Sequence, residues 1–171
     1  MAQIQLHAEI LSALVPAYRG YIVTHLGGVY GDKPAATRRF INRYMQLSAT
    51  CRAYLAIENC ENRYDVRDCL HVSKITSCPV IFDIFHHACT IKLHGAFPHE
   101  AAHYARLCSE TWHVKTPKFH ISEQKKGARL GAHASSVNNI PLYLKTMAQT
   151  RNICVMLQCK NKEVSALKLA E

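Results

Sequence analysis

The sequence predicts an α/β fold built on parallel strands. Five short apolar runs recur along the chain, among them Tyr21-Ile22-Val23, Val80-Ile81-Phe82 and Ile153-Cys154-Val155-Met156-Leu157. Near-continuous apolar runs of this kind suit strands buried on both faces. Helix-like stretches separate them at intervals of roughly 30 residues, as βα units do. No low-complexity segment or long linker breaks the series, and 171 residues is most simply one domain able to bury a core. A doubly wound sheet fits the strand count. A closed (β/α)₈ barrel takes about 250 residues, which would leave this chain about three strands short.

In order, residues 4–15 carry apolar side chains at Ile4, Leu6, Ile10, Leu11, Leu14 and Val15, a helical period ended by Pro16 and Gly20. Strand one is expected over 21–26, and the glycine-rich stretch His25-Leu26-Gly27-Gly28-Val29-Tyr30-Gly31-Asp32-Lys33 follows it. A helix over 34–47 comes next, with Asp32 near its start and Pro34 in its first turn. Strand two is placed at 53–58, a short helix from Asp65 to about 75, and strand three at 79–84. A loop with Gly95 and Pro98 leads to a helix near 99–111. Strand four is 118–121, and a polar loop over 123–131 precedes a helix near 140–149. Strand five, 153–157, and a helix over 163–169 close the series.

Lysine and arginine number 21 against 12 acidic residues, a net charge of +9. That balance favours a polyanionic partner, nucleic acid first. The positive residues are spread along the chain, so folding must gather any basic face. No run approaches membrane-spanning length, and the N-terminal residues lack the basic start and apolar core of a signal peptide. A cytoplasmic or nuclear setting is expected. The eight cysteines form no C-x-x-C pair, so they read as reduced, mostly buried thiols rather than a zinc site. Eleven histidines exceed what packing needs and invite a search for a metal site.

Parallel α/β folds place working residues at the C-terminal ends of their strands. Those ends carry His25, then Glu58, then Asp83 and His86, then Lys118 and His120, and finally Gln158, with His133 in the loop after strand four. A single histidine or aspartate at a strand end is usually structural. Five strands that all end in a polar, potentially coordinating group point instead to a shared cation site. Histidine–carboxylate sets suit Mn, Zn or Fe, and a group of such ions would serve phosphodiester hydrolysis. Lys33 after the glycine loop, and Lys125, Lys126 and Arg129 before His133, are candidate phosphate contacts. Tyr30 could stack on a base. His87, beside His86, is a candidate supporting partner, and Trp112 reads as packing.

The string from His25 to Lys33 resembles a segment of the UV damage endonucleases. Arg39-Phe40, Ile57-Glu58-Asn59, Val80-Ile81-Phe82-Asp83, His86-His87, Pro117-Lys118-Phe119-His120-Ile121-Ser122 and His133-Ala134 resemble that family as well. The resemblance implies a TIM-barrel-like fold of (β/α) repeats, incomplete here, with about five parallel strands in a single partial-barrel domain that lacks the family's first three strands. It implies a DNA repair endonuclease that nicks on the 5′ side of UV photoproducts. It also implies a cluster of divalent ions, Mn²⁺ foremost, with Zn²⁺, Mg²⁺ or Co²⁺ as alternatives. His25, Glu58, Asp83, His86, His120 and His133 match family ligands. Lys118 matches a lysine that sits by the metals and can be carboxylated. Catalytic duty thus falls on Lys118, Glu58 and Asp83, and UV-damaged duplex DNA is the expected partner.

The sequence also departs from the family pattern. Gln158 stands where the family has a glutamate ligand, Cys60-Glu61 replaces an Asp-Asp pair, Phe85 replaces a histidine, and Ser135 replaces an acid. Two readings follow: a metal-dependent endonuclease, or a truncated, impaired remnant that binds DNA or a partner without cleaving. In either, a second chain or protomer could complete the barrel. A sugar isomerase on a related barrel would use similar ligands, but a small sugar needs no basic face.

Overall fold

A computed structural model describes residues 2–17, 19–95, 100–113 and 116–170. Five parallel strands, β1 (Ile22–Thr24), β2 (Leu55–Glu58), β3 (Val80–Asp83), β4 (Lys118–Ile121) and β5 (Cys154–Leu157), form one sheet in sequence order. Each strand therefore pairs with its sequence neighbour, as in an unrolled barrel wall. The helices are α1 (Ala2–Leu14), α2 (Lys33–Met45), α3 (Ala49–Tyr54), α4 (Val66–Thr76), α5 (Ile84–His94), α6 (Ala101–Glu110), α7 (Leu142–Thr150) and α8 (Lys162–Ala170). The architecture is an α/β half-barrel.

Strand alternation sorts the side chains onto two faces. Leu55, Ile57, Val80, Phe82, Phe119 and Ile121 point outward and join the main core beneath the helices. Ala56 and Ile81 point the other way and meet Trp112, with Tyr21 packed against them. Glu58, Asp83 and His120 stand two residues beyond Ala56, Ile81 and Lys118, so they share this concave face. Val23 on β1 is 37% exposed and Met156 on β5 is 53% exposed. The concave wall is thus covered at its centre and open at both flanks.

Caps set the helix starts. The Asp32 carboxylate accepts from the Ala35 N–H at 2.9 Å, with Pro34 in the first turn of α2. Asp65 and Asp68 form a reciprocal capping box on α4. Two helices, α3 and α5, lie where the sequence pattern predicts none. The first is a six-residue helix, capped by Ser48, that runs directly into β2 and so blurs into the strand pattern. The second is started by Asp83 itself, whose Oδ1 accepts from the His86 N–H at 2.7 Å. Strand three therefore yields to helix at Ile84. The expected helix near 99–111 is observed as α6 from Ala101; His99 and Pro98 lie outside the described residues.

Six of the eight cysteines are buried and none is in a disulfide. Trp112 packs as expected and donates its indole N–H to the Val80 carbonyl at 2.8 Å.

Candidate metal centre

The C-terminal ends of the strands bring most of the expected residues together. His25 leaves β1 and donates its Nδ1–H to the Glu58 carbonyl at 3.0 Å. His86, in the first turn of α5, donates Nδ1–H to the Asn59 carbonyl at 2.9 Å. His133 does the same to the Gln158 carbonyl at 3.2 Å. A carbonyl can only accept, so each Nδ1 carries a proton and Nε2 of each ring is turned away from that carbonyl. The His133 and His86 rings meet edge to face with centroids 6.1 Å apart, and His25 and His86 lie 5.7 Å apart.

The carboxylates occupy the middle. Glu58 is buried; Oε2 lies 3.6 Å from His25 Nε2 and Oε1 lies 2.6 Å from His120 Nδ1. Burial works to raise its pKa, but the His120 hydrogen bond and the imidazoles of His120, His25 and His86 together bring it below the ordinary carboxylate value. Asp83 is fully buried, and its Oδ2 accepts no hydrogen bond among the described residues. Burial pushes its carboxyl up to about 6, against the pull of His86. Ligand atoms of Glu58, Asp83 and His86 lie within 4.8 Å of one another.

His120 sits opposite Asp83 in the β3–β4 register. Its Nδ1 lies 2.6 Å from Glu58 Oε1 and 2.8 Å from the Gln158 amide. One ring nitrogen has either a proton to give or a lone pair, and cannot both donate to the carboxylate and accept from an NH₂ group.

These features fit a divalent cation. A buried carboxylate oxygen with no donor, imidazoles held by their Nδ1 with Nε2 available, and an oxygen–nitrogen donor set are what such ions require.

The remaining candidates are placed as follows. Lys118 opens β4 and its Nζ lies 5.1 Å from the centre of the Tyr21 ring, one layer below His120 on the concave face. Lys125, Lys126 and Arg129 are exposed on the β4–α7 loop, which carries His133 at its base. Gln124 organises this loop: its Nε2 donates to the Arg129 carbonyl at 2.9 Å, its Oε1 accepts from the Gly131 N–H at 3.0 Å, and its backbone bridges His133. Tyr30 is 84% exposed, in a left-handed conformation, with Arg39 over its ring at 5.7 Å. A Cβ on Gly28 would meet the Tyr30 ring at 3.0 Å, so glycine lets the ring lie there. Lys33 turns away to Asp68 at 2.5 Å and lies over the Tyr64 ring. His87 sits one helical step from His86, and the helix turns it into the core against Phe82 and Tyr104. Sequence reasoning missed Gln124 and Asn59, whose work is on main-chain atoms.

A model of the family described as UV-endonuclease UvdE matches residues 1–171. The chain belongs to the UvdE family. It is 32% identical over 170 residues to a UV DNA damage endonuclease of Clostridium perfringens, covering 96% of this chain and 40% of that one. It is 29% identical over 170 residues to the UV DNA damage endonuclease of Bacillus pumilus, covering 96% and 52%. The crystal structure of SacUVDE superposes with a TM-score of 0.82 at 30% identity, covering 96% of this chain and 54% of that one. The UvdE half-barrel seen here thus spans about half the length of its relatives. UvdE membership makes the chain kin to DNA repair endonucleases. Among the described residues no helix is long and apolar enough to cross a membrane.

Proposed function

We propose that this chain carries the cation-binding, strand-cleaving face of a metal-dependent endonuclease that hydrolyses a phosphodiester bond beside UV photoproducts in duplex DNA. The observation that carries this reading is the buried cluster of Glu58, Asp83 and His86, in which Asp83 Oδ2 has no hydrogen bond among the described residues and lies 3.7 Å from His86 Nδ1, in a chain of the UvdE family. His25, Glu58, Asp83, His86, His120, His133 and Gln158 would hold divalent ions, with Mn²⁺ the first candidate and Zn²⁺, Mg²⁺ or Co²⁺ compatible with the same donors. Bound ions would activate a water and offset charge on the phosphate. The chain's own groups orient and hold: Glu58 fixes His120, the backbone carbonyls fix His25, His86 and His133, and Lys118 offers a positive charge to the concave face. Lys125, Lys126 and Arg129 project from an ordered loop, where they would grip DNA phosphates. Tyr30, exposed with Arg39 on its ring, would stack on an unpaired base. Lys33 would reach phosphate only by leaving Asp68.

Gln158 favours a second reading, a DNA-binding form that cleaves slowly or not at all. An amide brings no negative charge to the His120 corner where the family pattern has a carboxylate. The open flanks of the concave wall suit completion of the barrel by another chain or protomer, inside a cell.

UV-irradiated and undamaged supercoiled plasmid, incubated with the protein and Mn²⁺, separates the readings. Nicking of the irradiated plasmid, abolished by EDTA and by Glu58→Gln, is expected of the endonuclease. Binding of the irradiated plasmid without nicking in any divalent metal would establish the second reading.

A further inference from the structure

We propose that Asn59 is the positioning residue of the candidate metal centre: its side-chain amide grips the main chain of Asp83 while its own carbonyl fixes the ring of His86. The proposal rests on the cation-site reading above. Asn59 is fully buried directly after β2. Its Nδ2 donates to the Asp83 carbonyl at 2.9 Å and its Oδ1 accepts from the Asp83 N–H at 2.9 Å. A side-chain amide bonded to both main-chain groups of one residue imitates a strand partner. The β2–β3 ladder ends at Glu58 and Ile81. Asn59 carries the pairing onward to Asp83, the residue that bears the carboxylate.

The same residue acts a second time. Its carbonyl takes the Nδ1 proton of His86 at 2.9 Å, which directs Nε2 of that ring away from the backbone. Asp83 Oδ1 then holds the His86 N–H at 2.7 Å and starts α5. Two of the three clustered cation-ligand candidates are therefore oriented through one buried amide residue. The chemistry restricts this position narrowly. Aspartate could accept from the Asp83 N–H but has no N–H for the carbonyl. Glutamine would add a methylene to a fully buried side chain. Alanine would leave both Asp83 groups buried without these partners.

The test uses the intact chain with three substitutions. Asn59→Ala removes both bonds, and Asn59→Ser keeps one hydroxyl should the alanine variant not fold. Trp112→Phe deletes an unrelated buried hydrogen bond to β3 and serves as the stability control. The first measurement is ¹⁵N NMR of the imidazoles in metal-free protein. His86 is expected as the Nδ1–H tautomer in the parent; the Asn59 variants keep the main-chain carbonyl but no longer tie it to Asp83, so a tautomer mixture is expected there. The second is Mn²⁺ affinity, followed by electron paramagnetic resonance below each variant's melting temperature. A tenfold to hundredfold loss is expected in Asn59→Ala, a smaller loss in Asn59→Ser, and none in Trp112→Phe. Parent-like tautomer and Mn²⁺ affinity within twofold in whichever Asn59 variants fold would overturn the proposal. If the parent itself binds no Mn²⁺, the cation-site reading fails, and the tautomer measurement still decides whether Asn59 sets the His86 ring.

Discussion

Asp83 illustrates the cost of burying a carboxylate in a candidate cation site. It is fully buried, one oxygen has no donor among the described residues, and burial raises its pKa to about 6. A carboxyl raised in the folded state adds stability that is complete below its unfolded value and is lost as pH rises through about 6. At neutral pH Asp83 is therefore a liability of the order of 3 kcal/mol to the metal-free fold. Asp83→Asn should raise the melting temperature in EDTA at pH 7.5, and that gain should fade below pH 6. Mn²⁺ should stabilise the parent and leave the variant unchanged. Thermal melts across pH, with and without the ion, check all three outcomes. Gln158→Glu reverses the sign. A second carboxylate beside Glu58 and His120 should destabilise the metal-free protein and raise Mn²⁺ affinity about tenfold, read by isothermal titration and by metal content after purification. An unchanged affinity would mean that the His120 corner does not take part in binding.

At the scale of elements, what was legible in the sequence follows from what each residue does. The central strands declared themselves because their apolar residues are buried on both faces, and β1 and β5, open on one face, because their residues are mostly apolar even where exposed. The helices α2 and α4 declared themselves through Asp32 and Asp65, whose side chains cap free N–H groups, and through Pro34 in the first turn of α2. The start of α5 stayed hidden because its cap is Asp83, a residue that reads equally well as the end of a strand. His86 and His87 look alike in the sequence, yet a helix turns neighbours about 100° apart, so one faces the site and the other the core. Asn59 and Gln124 were invisible as functional residues because they bind main-chain atoms, which leave no pattern in sequence. The caps themselves should be separable from the site. Asp65→Ala breaks the capping box and should cost about 1–2 kcal/mol in urea unfolding while leaving Mn²⁺ affinity unchanged.

Across the whole molecule, a net charge of +9 is gathered in part on the loop that borders the candidate site. Polyanion binding of this kind weakens steeply with salt as counterions are released. Replacing Lys125, Lys126 and Arg129 together by alanine should weaken duplex binding, and should reduce the slope of log affinity against log salt by up to about 3. Fluorescence anisotropy of labelled duplexes over a salt series measures it, and an unchanged slope would place the phosphate contacts elsewhere. Strand order was legible only in outline. Alternating strands and helices fit a doubly wound sheet as well as a barrel wall, and only the sequential order β1 to β5 decides for the barrel.

The three imidazoles held by Nδ1 each borrow their acceptor from the strand end beside them: His25 from Glu58, His86 from Asn59 and His133 from Gln158. Those acceptors are peptide carbonyls, and every residue type supplies one. The orientation of the rings is thus written into strand register rather than into the identity of the neighbours. Evolutionary drift over the outer helices can proceed far without disturbing it. An insertion or deletion of one residue within β2 or β5 would unseat a histidine even if every ligand were retained. A deep mutational scan should accordingly find the strand ends, Asn59 apart, tolerant of many substitutions between the candidate ligands and intolerant of any change in their length.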